Sequence, residues 1–189
     1  MKRWSLRKPI MPSTIIRLAT KDDAQGKGYV HYQSWIETYK DMIPDHYLMR
    51  HTLERTVQMA YEHPENTWIA IVDERIVGFS CFMKCPDEDL LDSGEIMAIY
   101  VLKDYQHQGI GQKLFDAARH SLSFYETIVL WTFEENDRAI KFYEKQGFHK
   151  DGKTKVVMER PAIRMMVDVK QKEEDEVKPW LKQNKDIFD

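Results

Sequence analysis

Apolar and polar positions change period several times along the chain, and each change marks an element. Residues 14–20, TIIRLAT, alternate and are β-branched, which predicts a first strand. Asp22 and Asp23 then offer an N-cap to a helix running towards Met42, with Val30, Trp35, Ile36 and Tyr39 as its apolar stripe. Pro44 separates it from a second predicted helix over 47–62, and His63-Pro64-Glu65-Asn66 breaks the pattern again. TWIAIVD (67–73) and IVGFSCFMK (76–84) flank Asp73-Glu74-Arg75, a connection short enough for a β-hairpin. An acidic loop over 86–93 leads to GEIMAIYVL (94–102), a fourth strand. A helix over 109–123 sets Leu114, Ala117, Ala118 and Leu122 on one face. TIVLWTF (127–133) is almost continuously apolar, as a strand buried on both faces is. A helix over 136–146 stops at Gly147, a residue suited to a left-handed C′ position. Strands from Phe148 onwards and over 162–169 close the pattern. The order β-α-α-β-β-β-α-β-α-β-β predicts an α/β fold with a mixed sheet and helices on both faces.

Composition narrows the classes. A chain of 189 residues has room for one ordinary domain. Hydrophobic residues make up 42%, including eight Phe, nine Tyr and five Trp, which excludes disorder for most of it. A net charge of -3 argues against a nucleic-acid surface. No apolar run is long enough for a membrane helix. The basic residues 1–13 lack an apolar stretch behind them, so no secretory signal is expected and the expected compartment is the cytoplasm. Cys81 and Cys85 are four apart on one predicted strand, about 13 Å at about 3.3 Å per residue. A disulfide needs less than about 7 Å, so reduced thiols are expected. The seven His and two Cys show no zinc spacing, and no metal is expected. The domain is expected over 14–169, between a basic leader (1–13) and a charged tail or helix (170–189).

The chemistry lies in Gln106-His107-Gln108-Gly109-Ile110-Gly111-Gln112, between a predicted strand and a predicted helix. Glycines there uncover backbone N–H groups, and a helix start adds unpaired donors and a positive dipole end, a site for phosphate. A Walker A loop is absent, and a dinucleotide fingerprint would need Gly or Ala where Leu114 stands. What remains is Gln/Arg-x-x-Gly-x-Gly/Ala, followed downstream by Asn136-x-x-Ala139-x-x-Phe142-Tyr143-x-x-x-Gly147-Phe148. With both motifs the chain resembles the GNAT superfamily of N-acetyltransferases over roughly residues 14–169.

The resemblance implies a mostly antiparallel, twisted sheet of about seven strands, splayed between the fourth and fifth, with acetyl-CoA in the splay. It implies that backbone groups of Ile99, Tyr100 and Val101 pair with the pantetheine arm. Gln106 opens the loop motif, and N–H groups of His107, Gln108, Gly109, Ile110, Gly111 and Gln112 would hold the pyrophosphate. Asn136 would contact the cofactor arm, a role compatible with capping its helix. Tyr143 matches the tyrosine that protonates the leaving thiolate. A base must relieve the incoming amine of its proton. Trp131 stands where some ribosomal-protein acetyltransferases carry a glutamate, so Glu95 on the fourth strand is the first candidate, with His31 and Glu37 behind it. An exposed strand-edge carboxylate is the plain alternative for Glu95. Trp35 and Tyr39 would wall the acceptor pocket, or simply pack a helix. The acidic loop with Asp87, Glu88, Asp89 and Asp92 could attract a polycation, or be a solvated turn.

The expected function is direct acetyl transfer to a primary amine of a small molecule, polyamine-like in one version, within a ternary complex. The alternatives are a protein or peptide acceptor, or a non-catalytic acyl-CoA-binding module. Neither nucleic acid nor membrane is an expected partner, and exposed strand edges are compatible with a homodimer.

Overall fold

A computed structural model describes residues 13–169, so residues 1–12 of the leader and the tail over 170–189 lie outside it. The elements are β1 (Ile15–Leu18), α1 (Ala24–Tyr39), α2 (Asp45–Arg50), α3 (Leu53–Glu62), β2 (Thr67–Val72), β3 (Arg75–Lys84), β4 (Ser93–Val101), α4 (Ile110–Ser121), β5 (Thr127–Phe133), α5 (Asp137–Lys145), β6 (His149–Val157) and β7 (Arg160–Asp168). All seven strands join one sheet in the order β1-β2-β3-β4-β5-β7-β6. Among the described residues only the β4–β5 pair is parallel; the others are antiparallel. Cys81 lies on β3 and Cys85 one residue beyond its end, and both are free thiols.

Alternation along β3 sends neighbouring side chains to opposite faces and separates two helical layers. Phe79 meets the His31 ring of α1 at 5.5 Å, while Ser80 donates to the Leu114 carbonyl of α4 at 3.0 Å. Under α4 and α5, Phe115 packs with Phe142, Tyr143 and Phe148 over Ile128, Leu130, Ile163 and Met165. α1 lies against β3 and β4 on the other face and α3 packs onto it, Thr56 Oγ1 donating to the Gly28 carbonyl at 2.9 Å. Two turns bring tight corners: Asp73 and Glu74 have φ of 47° and 63°, and Met158 and Glu159 have 50° and 62°. Paired left-handed residues of this kind are what a two-residue hairpin needs.

The helix expected over 47–62 is two helices. Thr52 accepts a hydrogen bond from the Arg55 N–H at 3.3 Å and starts α3 afresh, which leaves His51 between α2 and α3 in a non-helical conformation. Apolar spacing continued through the break, so periodicity alone could not find it; the capping threonine is the local signal.

The expected splay is present. β4 and β5 pair through Ser93 with Thr127, Gly94 with Ile128 and Glu95 with Val129, and then part. β5 stays on β7 along its whole length, and β4 stays on β3, where a bulge leaves Met97 without an opposite residue. Such an extra residue bends its strand and sharpens its twist. The β5-facing edge of residues 96–101 therefore has no strand partner. No described helix is long and apolar enough to cross a membrane.

Gly28 sets the distance between α1 and α3. A Cβ there would stand 2.6 Å from Val57 Cα, a backbone atom that cannot swing aside. Gly28→Ala is expected to lower the urea midpoint with unchanged m-value, a loss of about 1–3 kcal/mol.

Candidate active site

The open end of the gap is built by the turn into α4. His107 and Gly109 both take positive φ, 60° and 78°, and a Cβ on Gly109 would meet nothing within 4 Å. The first helical bond runs from the Lys113 N–H to the Gly109 carbonyl, so the N–H groups of Ile110, Gly111 and Gln112 lie in the turn whose donors lack helical acceptors. An uncrowded backbone with a helix dipole behind it fits a pyrophosphate. Gln108 turns back instead, donating to the Asp104 carbonyl at 3.0 Å, and Gln112 exchanges amide bonds with Gln146 of the α5 C-cap at 2.8 and 3.0 Å. Gln106 spans the gap: its Nε2 donates to the Val101 carbonyl at 2.8 Å and its Oε1 accepts from Arg138 on α5 at 2.8 Å. Arg138 stands at a variable place in the sequence motif, and nothing in the pattern pointed to it.

Asn136 caps α5, its Oδ1 accepting from the Ala139 N–H at 3.2 Å. At the other end, the Phe148 N–H bonds the Tyr143 carbonyl at 3.1 Å and the Gly147 N–H bonds the Glu144 carbonyl at 3.0 Å, with Gly147 at φ 91°. This is a Schellman motif, and its usual hydrophobic contact is here Phe148 against Tyr143, 5.8 Å between rings. The glycine and phenylalanine that end the motif thus hold its tyrosine. Tyr143 is 9% exposed, and burial, with the nearby Tyr39 phenol, pushes its pKa well up.

Tyr39, at the end of α1, closes the gap from the opposite face. Its hydroxyl accepts from Tyr100 of β4 at 3.1 Å, and its ring stands edge-on to Phe133 of β5 at 5.3 Å and to Trp35 at 5.2 Å. Both phenols are raised by burial. Behind Tyr39, Trp35 stacks on His51 at 4.1 Å, and His51 meets His31 edge-on at 4.9 Å. Burial, then the charges of Lys27 and His51, push His31 down to about 3, so it is a neutral imidazole packed on Tyr100 and Phe79. His51 was not visible as a site residue, because only the break between α2 and α3 brings it here. Glu37 is exposed and accepts from Gln33 at 2.7 Å.

Glu95 occupies the vertex, in the last pair before the strands part. It is half-buried, which replaces the picture of an exposed edge carboxylate. Burial raises its pKa, Lys155 opposes that, and Asp87 adds to it. Two residues beyond Val129, the Trp131 ring carries Lys155 Nζ 3.9 Å from its centroid. Trp131 Nε1 donates to Asp87 at 3.2 Å.

Arg164, on β7 and 3% exposed, holds the acidic loop in place. It donates to Asp151 at 2.7 Å, to Asp87 at 2.9 Å, and to both oxygens of Asp89 at 2.9 and 2.8 Å, while Lys153 lies 3.2 Å from Asp89. Together Arg164 and Lys153 hold the Asp89 carboxyl far below its usual range. Asp87 and Asp89 are therefore neither an open lure for a polycation nor a plain solvated turn, the two readings the sequence left open; they pair with an internal cation. An arginine inside the apolar run AIRMMVDV, together with an acidic loop elsewhere, was the available signal. Across the same face, α2 meets the β6–β7 turn, with Tyr47 and His46 at 3.5 and 3.6 Å from Glu159.

A parallel strand pair that parts, a helix start at its open end and a buried tyrosine beside it define a class: transferases that draw an acyl thioester into a split sheet. The chain belongs to the acetyltransferase (GNAT) family, which matches residues 32–148, and it is an acyltransferase with acetyl-CoA as donor. It is 32% identical over 151 residues to "Probable N-acetyltransferase Rv2775" of Mycobacterium tuberculosis, covering 76% of this chain and 84% of that one. It is 30% identical over 115 residues to an N-alpha-acetyltransferase of Saccharolobus solfataricus, covering 50% of this chain and 68% of the relative. Its fold matches a PaiA N-acetyltransferase of Thermoplasma acidophilum in complex with coenzyme A, with a TM-score of 0.64, 20% identity, and 82% and 99% of the two chains covered.

Arg164→Met is expected to free the loop over 86–92, seen as faster amide exchange there. A stability loss of about 3 kcal/mol is expected, because the carboxylate of Asp151 is left without its buried partner.

Proposed function

We propose that the protein acetylates the primary amine of a small molecule by direct attack within a ternary complex. The observation that carries this is the contact of α2 with the β6–β7 turn, where Tyr47 and His46 approach Glu159 at 3.5 and 3.6 Å, together with the ring contacts of Tyr39 with Trp35 and Phe133. A chain-like acceptor needs an open groove at that place.

In this reading the thioester lies along the unpaired edge of β4, against Ile99, Tyr100 and Val101, with its phosphates at 107–112. A β4 N–H polarises the carbonyl. Asn136 contacts the arm while capping α5. Glu95 takes the proton of the amine, and Tyr143 gives one to the leaving sulfur. A raised carboxyl pKa makes Glu95 a stronger base than an ordinary glutamate, and a raised phenol keeps Tyr143 protonated. Polyamines lose their special claim, since Asp87 and Asp89 already face Arg164 and Lys153. A protein N-terminus is the second reading, supported by the name of the Saccharolobus relative.

Thiol release from acetyl-CoA, followed across polyamines, amino acids, aminoglycosides and short peptides, tests the acceptor. Turnover with small amines is expected, and turnover with peptides alone sinks the proposal. Tyr143→Phe is expected to lower kcat about 10²-fold. Glu95 must be ionised to act, so kcat/KM should rise with pH through a pKa above the ordinary glutamate value of about 4.3, and Glu95→Gln should remove that limb.

A further inference from the structure

A primary amine of the chain itself lies over Trp131, a β5 residue just past the point where β4 and β5 part. Lys155 of β6 pairs with Ala162 of β7, which pairs in turn with Phe133 of β5. Ala162 is small enough for the lysine arm to cross, and Nζ comes to rest over the Trp131 ring, 3.9 Å from its centroid. Trp131 is two residues past the vertex, and the charge on Lys155 reaches Glu95 there. Lys153, on the same strand, is instead paired with Asp89 at 3.2 Å. Among the described residues Lys155 makes no ion pair. An aromatic face at an exposed site holds a cation by only about 0.5–1 kcal/mol, so the arm lifts readily.

We propose that Lys155 is a self-acetylation site, its Nζ taking the acetyl group from acetyl-CoA held in the β4–β5 gap of the same chain. The inference rests on the reading of that gap as the transfer site. The bond from Nζ to the acetyl carbon forms as the carbon–sulfur bond breaks. Nζ sheds two protons: the ammonium gives one to water as the arm lifts, and the attacking amine gives the second to the Glu95 carboxylate. The sulfur receives one from Tyr143, whose phenolate regains a proton from solvent as Glu95 releases its own, so the products are Nε-acetyl-lysine, the free thiol of coenzyme A and one proton. No oxidant or further reactant enters. The product is a neutral amide lying on Trp131, where it removes the charge that opposes the raised carboxyl of Glu95 and occupies the floor an outside amine would use.

The test incubates the full chain with acetyl-CoA and no added amine, and maps acetylated peptides by mass over time. The expected result is a single dominant acetyl on Lys155, gained at a rate independent of protein concentration and about tenfold or more faster than on Lys153, because the amine is held beside the thioester. The rate should fall about 10²-fold in Tyr143→Phe and stop in Lys155→Arg. Trp131→Leu should bring it down towards the Lys153 rate. Acetylation of Lys155 no faster than of Lys153, or unchanged in Tyr143→Phe, or second order in protein, overturns the proposal. Thiol release with small amines while Lys155 stays unmodified overturns this inference alone. Acetylated Lys155 without turnover of any small amine overturns the small-molecule reading alone.

Discussion

Two parallel strands, β4 and β5, keep company for three residue pairs and then separate, and the molecule is arranged to hold them apart. A row of peptide groups without a strand partner is costly when water is also excluded. The separation is sustained from several sides. The bulge at Met97 bends β4 away, and β5 is bound along its full length to β7. Tyr39 wedges between Tyr100 and Phe133, and Gln106 braces the end of β4 against Arg138. In the proposed reading an extended thioester arm supplies the missing partner, which is how a sheet defect would become a binding site.

The same gap divides the chemistry between the two faces. α4 and α5 bring the glycine turn over 107–112 and Tyr143 from one side, and α1 brings an aromatic wall from the other. Tyr143 and Glu95 are both biased by burial, towards the protonated phenol and the more basic carboxylate, which is what the acid and base of the proposed reaction would need. Arg164 serves this division indirectly. By pairing with Asp87, Asp89 and Asp151 it fixes an acidic loop beside Trp131, and Lys155 lies over the same ring.

Much of this was written locally. The loop over 106–112 needs left-handed residues, and Gly109 supplies one; Gly147 and Phe148 lock Tyr143 through a helix end of six residues. Such features depend on neighbours in the chain, so a motif records them. A mixed sheet with helices on both faces was likewise legible from the meander and the later alternation of strands and helices, and the split sheet was implied by the resemblance that the two motifs carry. The division of the helix over 47–62 was missed, since one threonine side chain outweighed an unbroken apolar rhythm.

By itself the sequence determined the fold class, the family, the glycine turn into α4 and the helix end that holds Tyr143, all consequences of short-range geometry. Only the tertiary structure decided what the polar residues do with one another. It set Arg164 against carboxylates 13, 75 and 77 positions away, and it joined Tyr100 to Tyr39 across 61. It also laid Lys155 on Trp131 and turned Glu95 from an edge carboxylate into the half-buried vertex of the gap. Burial and charge pairing depend on what the folded chain brings alongside, and no spacing along the sequence encodes that distance.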